Sequence, residues 1–172
     1  MSIIGIDPGP EHSAWACWLG SNETSVSTGD IDNAEARGLF RWDFQLISTD
    51  TVVIEWLVPY NVPASKGVLN TCRWVGHFED MAWQQGAHVV LVDRPTIVRH
   101  FCGNTSWKDK QGNRQAVTKP MVKQALYDRF GGDRKAAVGT KKKPGPLYGI
   151  KGDHQFDALA CAVWYAETNK NA

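Results

Sequence analysis

Residues 51–58 read TVVIEWLV, a β-branched and almost wholly apolar run with one carboxylate inside it. A strand with one wet face alternates apolar and polar residues, so a continuous apolar run reads as a strand covered on both faces. It calls for a central position in a sheet with helices packed on either side, an α/β layered architecture. Glu55 is the anomaly, because glutamate is disfavoured in strands and rarely buried without a partner. An edge position would excuse it, but Val52, Val53, Ile54, Trp56, Leu57 and Val58 leave no polar side to face water. Glu55 is therefore a candidate functional carboxylate.

The rest of the chain supplies the layers. Residues 2–7 form a short apolar run ending in Asp-Pro-Gly, a buried strand stopped by a turn. Residues 14–19 and 25–30 are further strand candidates around the turn Gly20-Ser21-Asn22-Glu23, which makes an antiparallel meander. Residues 34–47 carry Leu39, Phe40, Phe44 and Ile47 at helical spacing. After a loop over 59–67, residues 68–85 read as a helix and 89–92 as a short buried strand. Residues 103–115 are polar and read as a loop. Residues 118–130 read as a helix, with Thr118 as N-cap, Pro120 in its first turn and Gly131 at its stop. Residues 136–152 read as a second, basic loop before a last helix from Asp153 to about residue 168. The expectation is one domain over residues 1–172, a mixed sheet with helices on both faces.

Charge is divided unevenly. The whole chain carries 19 Lys plus Arg against 18 Asp plus Glu, but residues 94–151 hold 14 bases against 3 acids, leaving 5 against 15 elsewhere. A basic third beside an acidic remainder fits a polyanionic partner. Cys17, Cys72, Cys102 and Cys161 are widely spaced, which argues against a zinc site and for reduced thiols. No run approaches the roughly 20 apolar residues of a membrane span, and MSIIGID is too short and too soon acidic for a signal peptide. A cytoplasmic protein without membrane contact is expected.

Two more carboxylates look costly. Asp7 ends a buried strand, where it must be solvated, paired or bound to a cation, although Asp before Pro-Gly also forms turns. In GDHQFDALACAVWYAE, His154 and Asp157 are three apart on a helix and share a face. His154 reads either as a surface histidine or as a ligand or proton carrier. Asp153 reads as the helix N-cap or as an extra ligand. Brought together, Asp7, Glu55 and Asp157 would repel, since like charges about 4 Å apart cost about 4 kcal/mol at an effective dielectric near 20. Such a set calls for cations, and oxygen ligands select hard ions such as Mg2+ or Mn2+. Two of them can serve phosphodiester hydrolysis. No organic cofactor is indicated.

Taken together these segments resemble the RuvC-like Holliday junction resolvases of the ribonuclease H-like superfamily. GIDPG at residues 5–9 is similar to the first-strand motif with its metal-binding aspartate, Asp7. VIEW at 53–56 resembles the fourth-strand motif with its glutamate, Glu55. HQFDALA at 154–160 resembles the last-helix motif, closed by Asp157, with His154 at a position the family fills with Asp or His. The resemblance implies a five-stranded mixed sheet of order 3-2-1-4-5, a homodimer, and paired nicks in a four-way DNA junction that leave 5′-phosphate and 3′-hydroxyl ends. It implies metals on Asp7, Glu55, His154 and Asp157, and a basic residue near the scissile phosphate, for which Lys119 is the candidate. After the fifth strand a lysine tends to follow, and that place is Arg99 here.

The chain departs from the pattern in two places. The aromatic wedge expected soon after the glutamate falls on Val58, with Trp56 and Tyr60 nearby. A basic insertion around Lys141, Lys142 and Lys143 lengthens the stretch before Asp157 and adds candidate DNA contacts. Both point to a phage-encoded or otherwise divergent member. Trp107 and Tyr60 are candidates for stacking on unpaired bases. The 68–85 helix, with Leu69, Cys72 and Val75, reads as dimer interface or as sheet-covering core. Another ribonuclease H-like nuclease, acting on an RNA–DNA hybrid or on flaps, is the alternative reading.

Overall fold

The computed structural model describes residues 2–18, 26–44, 46–57, 65–108 and 111–169. The turn at Gly20-Ser21-Asn22-Glu23, most of the 59–67 loop, Val58 and Tyr60 lie outside the described residues. The main sheet is built from β1 (Ile3–Asp7), β2 (His12–Trp18), β3 (Val26–Asp32), β4 (Thr51–Trp56) and β5 (His88–Asp93). Its order is β3-β2-β1-β4-β5, as the family resemblance implied. β1, β2 and β3 run antiparallel, whereas β1, β4 and β5 are parallel, so the last three strands end on the same side.

Strand alternation divides the core between the two faces. Ile4 and Ile6 of β1 join Val52 and Ile54 of β4 on one face, under Val75, Phe78 and Ala82 of α2 (Lys66–Gln84). Ile3 and Val53 face the other way, against α6 (Asp153–Thr168), α3 (Arg94–Cys102) and α4 (Lys119–Gly131). The pairing Ile3↔Thr51 through Ile6↔Ile54 brings Asp7 level with Glu55. Period-two alternation turns both carboxylates towards the α6 face.

The approach of α6 to the sheet is set by small residues. Ala158, Ala160, Cys161 and Ala162 are fully buried, and a Cβ at Gly5 would lie 1.8 Å from the Ala158 carbonyl oxygen. Only glycine admits this approach, and it fixes how far Asp157 stands from β1. Gly5→Ala must move a strand or a helix, neither of which can yield locally. Overpacking of this kind costs about 3 kcal/mol or more. A matching fall in the denaturation midpoint, with loss of any activity that depends on Asp157, is the expected result. A midpoint unchanged from wild type would show that α6 is not held by this contact.

Four local expectations are corrected. Residues 34–47 are not one regular helix: a 3₁₀ turn (Asn33–Glu35) and a single α turn, α1 (Ala36–Gly38), lead into a π-helical stretch (Leu39–Phe44). The wider spiral suits its aromatic contacts: Phe40 and Phe44 meet edge to face, and Phe44 meets Trp15. Gln85 donates to the Phe40 carbonyl at 2.7 Å and accepts from the Leu46 amide at 2.9 Å. β5 is an edge strand, with Val92 buried and Leu91 exposed. The two supposed loops carry short paired strands, β6 (Ser106–Lys108) with β7 (Arg114–Ala116), and β8 (Gly139–Thr140) with β9 (Lys143–Pro144). Between these hairpins the short helix α5 (Arg134–Val138) follows α4 and is capped by Asp133.

Candidate metal centre

The carboxyl ends of β1, β4 and β5 and the first turns of α6 and α4 meet at one place. Crevices outside the carboxyl ends of parallel strands are where α/β sheets gather ligands, because successive chain ends converge there. β1 delivers Asp7 and β4 delivers Glu55. The first two turns of α6 deliver His154 and Asp157, Lys119 opens α4, and Arg94 opens α3 directly after β5.

These groups are in contact. His154 Nδ1 lies 2.6 Å from Asp7 Oδ2. Asp157 accepts from Arg94 Nη1 at 2.5 Å through Oδ1 and from Lys119 Nζ at 2.6 Å through Oδ2. Arg94 Nη1 stands 3.6 Å from Glu55 Oε2, beyond hydrogen-bond range. Glu55 is buried at 8% exposure, and its Oε2 has no hydrogen-bond partner among the described residues. A buried carboxylate oxygen without a donor is expensive unless a cation completes it.

The electrostatics register that cost. Burial, then the charge of Asp7, pushes the Glu55 carboxyl up to about 7, against the opposing pull of Arg94. Burial likewise raises Asp7, although the hydrogen bond from His154 works the other way. Burial opposes the charges of Arg94 and Lys119, but their carboxylate neighbours outweigh it and hold both cations more firmly protonated. One donor atom each from Asp7, His154 and Asp157 falls within 4.8 Å of the others, close enough to share one metal ion.

Of the residues singled out in the sequence, Asp7, Glu55, His154, Asp157 and Lys119 are brought together. Asp153 is not. Gly152 occupies the N-cap position of α6, and the exposed Asp153 carboxylate accepts from Lys123 Nζ at 3.0 Å. Asp153 is therefore neither the cap nor a member of the cluster, and its pair with Lys123 draws it towards α4. Thr118 holds the N-cap position of α4 without a side-chain capping bond. Arg99 also stays outside. It is exposed on α3 and donates to Thr96 Oγ1 at 3.2 Å, while Arg94, one and a half turns earlier, takes the place at the cluster. The signal that could have found Arg94 is Asp-Arg-Pro: Asp93 caps α3 by accepting from the Thr96 amide, which fixes Arg94 as the first helical residue beside the end of β4. Lys141, Lys142 and Lys143 sit exposed at the β8–β9 hairpin, and Trp107 is exposed on β6. On α2, Val75 is core and Leu69 is exposed.

No protein-family profile matches the sequence, and no curated protein matches it. Solved structures do. The chain superposes on RuvC of Thermus thermophilus in complex with a Holliday junction substrate with a TM-score of 0.57 and 16% identity, covering 98% of this chain and 97% of the other. A second RuvC structure from T. thermophilus gives a TM-score of 0.55 and 18% identity over 98% and 96% of the two chains. The fold is that of RuvC. Coverage is nearly end to end on both chains, so the ribonuclease H-like architecture accounts for the whole order of elements, whereas so low an identity carries the fold and not the chemistry.

Proposed function

We propose that this chain is a metal-dependent DNA endonuclease that resolves four-way junctions by paired nicks, with residues 1–172 acting as one nuclease domain. The observation that carries the reading is the convergence of Asp7, Glu55 and Asp157, with His154 and Lys119, at one crevice where Glu55 Oε2 is buried with no hydrogen-bond donor among the described residues. The RuvC structure with its Holliday junction substrate supports branched DNA as the substrate class.

The residues fit a hard divalent cation. Three carboxylates and one imidazole supply oxygen and nitrogen donors, which suit Mg2+ or Mn2+. Asp7, His154 and Asp157 would hold one ion and Asp7 with Glu55 a second. Bound there, two such ions acidify an attacking water and neutralise charge on the phosphate and its leaving oxygen. The remaining work belongs to the chain. Buried β1 and β4 hold Asp7 and Glu55 at fixed separation. Lys119, half exposed on its side chain, reaches from Asp157 towards solvent and can pair with a phosphate oxygen. No described helix is long and apolar enough to cross a membrane, and a cytoplasmic site of action fits a DNA substrate.

The test is cleavage of a synthetic four-way junction beside plain duplex, a flap and an RNA–DNA hybrid. Symmetric nicks in the junction that require Mg2+ or Mn2+ and disappear with EDTA are expected. Preference for the hybrid would overturn the reading.

Two parts of the footprint have their own tests. Lys141, Lys142 and Lys143 are exposed on the β8–β9 hairpin and would follow a phosphate backbone. Changing all three to Gln is expected to weaken junction binding and to lower the salt slope by about 0.9 per lost phosphate contact. A slope that does not move would remove the hairpin from the footprint. A homodimer through α2 is supported by Leu69, Gly76 and Trp83, seven apart and exposed along one side. Trp83→Asp is expected to shift sedimentation from dimer to monomer.

A further inference from the structure

Asp157 has both its oxygens occupied by the chain's own cations, Arg94 on Oδ1 and Lys119 on Oδ2. The two cations differ in freedom. Lys119 comes from a side chain half exposed to solvent and can turn outward. Arg94 is three-quarters covered, and its Nη1 stands between Asp157 Oδ1 and the unpartnered Glu55 Oε2. A guanidinium keeps its charge at any working pH and offers only N–H donors, so it competes with a metal ion for carboxylate oxygens and cannot join its ligands.

The charges at the cluster point the same way. Asp7, Glu55 and Asp157, once ionised, face the two cations Arg94 and Lys119, which leaves one negative charge among these five groups. One divalent ion reverses that balance and suits a singly charged phosphodiester. A second ion, bound at Glu55, meets the positive guanidinium at close range. It becomes favourable once Arg94 has moved to another anion, and a DNA phosphate is an anion that a guanidinium binds through two parallel hydrogen bonds.

We infer that Arg94 is a placeholder for the second metal ion: the DNA-free protein binds one divalent ion firmly at Asp7, His154 and Asp157, and the place beside Glu55 fills when a DNA phosphate draws Arg94 away. This rests on the metal-dependent nuclease reading above. Metal loading is thereby tied to substrate, and the free protein does not hold a complete cutting centre.

The experiment is Mn2+ titration of the metal-free full chain, followed by electron paramagnetic resonance. Without DNA, wild type is expected to bind one Mn2+ with a second at least about tenfold weaker, as close like charges require. Arg94→Gln is expected to tighten the second site by at least about tenfold and to show the spin-coupled signal of two neighbouring ions. Arg94→Lys, which keeps the charge, should stay close to wild type. A four-way junction with phosphorothioate linkages at the crossover should bring the coupled signal to wild type itself, an arm that does not depend on either variant folding. Two equal Mn2+ sites in DNA-free wild type, or a second site unmoved in Arg94→Gln, would overturn the inference. No Mn2+ binding in any of the proteins would instead remove the metal-dependent reading on which it stands.

Discussion

Asp7→Asn is expected to lower junction cleavage by about a thousandfold or more while leaving junction binding close to wild type. In the proposed centre Asp7 is the carboxylate shared by both sets of donors, so its loss would touch every ion held there. Charge stabilisation of several kcal/mol from such ions, at 1.36 kcal/mol per tenfold in rate, gives that magnitude. Binding should be retained, because the proposed backbone contacts come from lysines and arginines that the substitution leaves in place.

The same substitution carries a second, opposite signature. Burial holds the ionised form of Asp7 at a disadvantage in the fold, and its charge in turn raises Glu55. Removing one of the mutually repelling charges should therefore raise the metal-free melting temperature near neutral pH, even as activity is lost. A stabilised but inactive variant is what a site built for cations predicts. Wild-type cleavage by Asp7→Asn would sink the nuclease reading of the cluster. Loss of binding together with lowered stability would mean that Asp7 serves the fold.

Much of this site was legible because its parts violate local rules. Glu55 was conspicuous inside an apolar strand, and strand alternation with the β1–β4 register places it beside Asp7. His154 and Asp157 were legible because i and i+3 share a helix face. Arg94 was not, because a basic residue opening a helix after a strand looks like any other until the neighbouring strand end is known. Arg99, taken through the resemblance as the place where a lysine tends to follow the fifth strand, points elsewhere. Asp153 misled because Asp is a favoured N-cap, yet Gly152 takes that place and Lys123 claims the carboxylate. The β6–β7 and β8–β9 hairpins have strands of two or three residues with little burial, so no apolar alternation announces them. The π-helical turn was hidden by aromatic spacing that an α-helix would fit equally well, and the partner of the Phe40 carbonyl, Gln85, is distant in sequence.

The metal-free protein is expected to lose stability as pH rises, in the range where most proteins are steady, and Glu55 is the main cause. Its carboxyl titrates at about 7 in the fold against an ordinary 4.5. The folded state therefore favours the protonated acid. That contribution is complete below about pH 4.5 and is lost as pH rises through 7. A difference of about 2.5 units corresponds to about 3 kcal/mol, or about 10 °C in melting temperature for a domain of this size. Asp7, also raised, acts in the same direction. Asp50 and Glu167 have lowered values, so they weaken the fold only at more acidic pH and leave this window clear. Saturating Mg2+ should flatten the decline, because an ion that binds the ionised carboxylates of the folded state stabilises that state alone. Glu55→Gln should flatten it without metal, and should also forfeit much of the Mg2+ gain. Melting curves from pH 5 to 8.5, with EDTA and with Mg2+, read both effects at once. A wild-type protein equally stable across that range in EDTA would mean that Glu55 finds its compensation within the fold, and its buried oxygen would no longer argue for a cation.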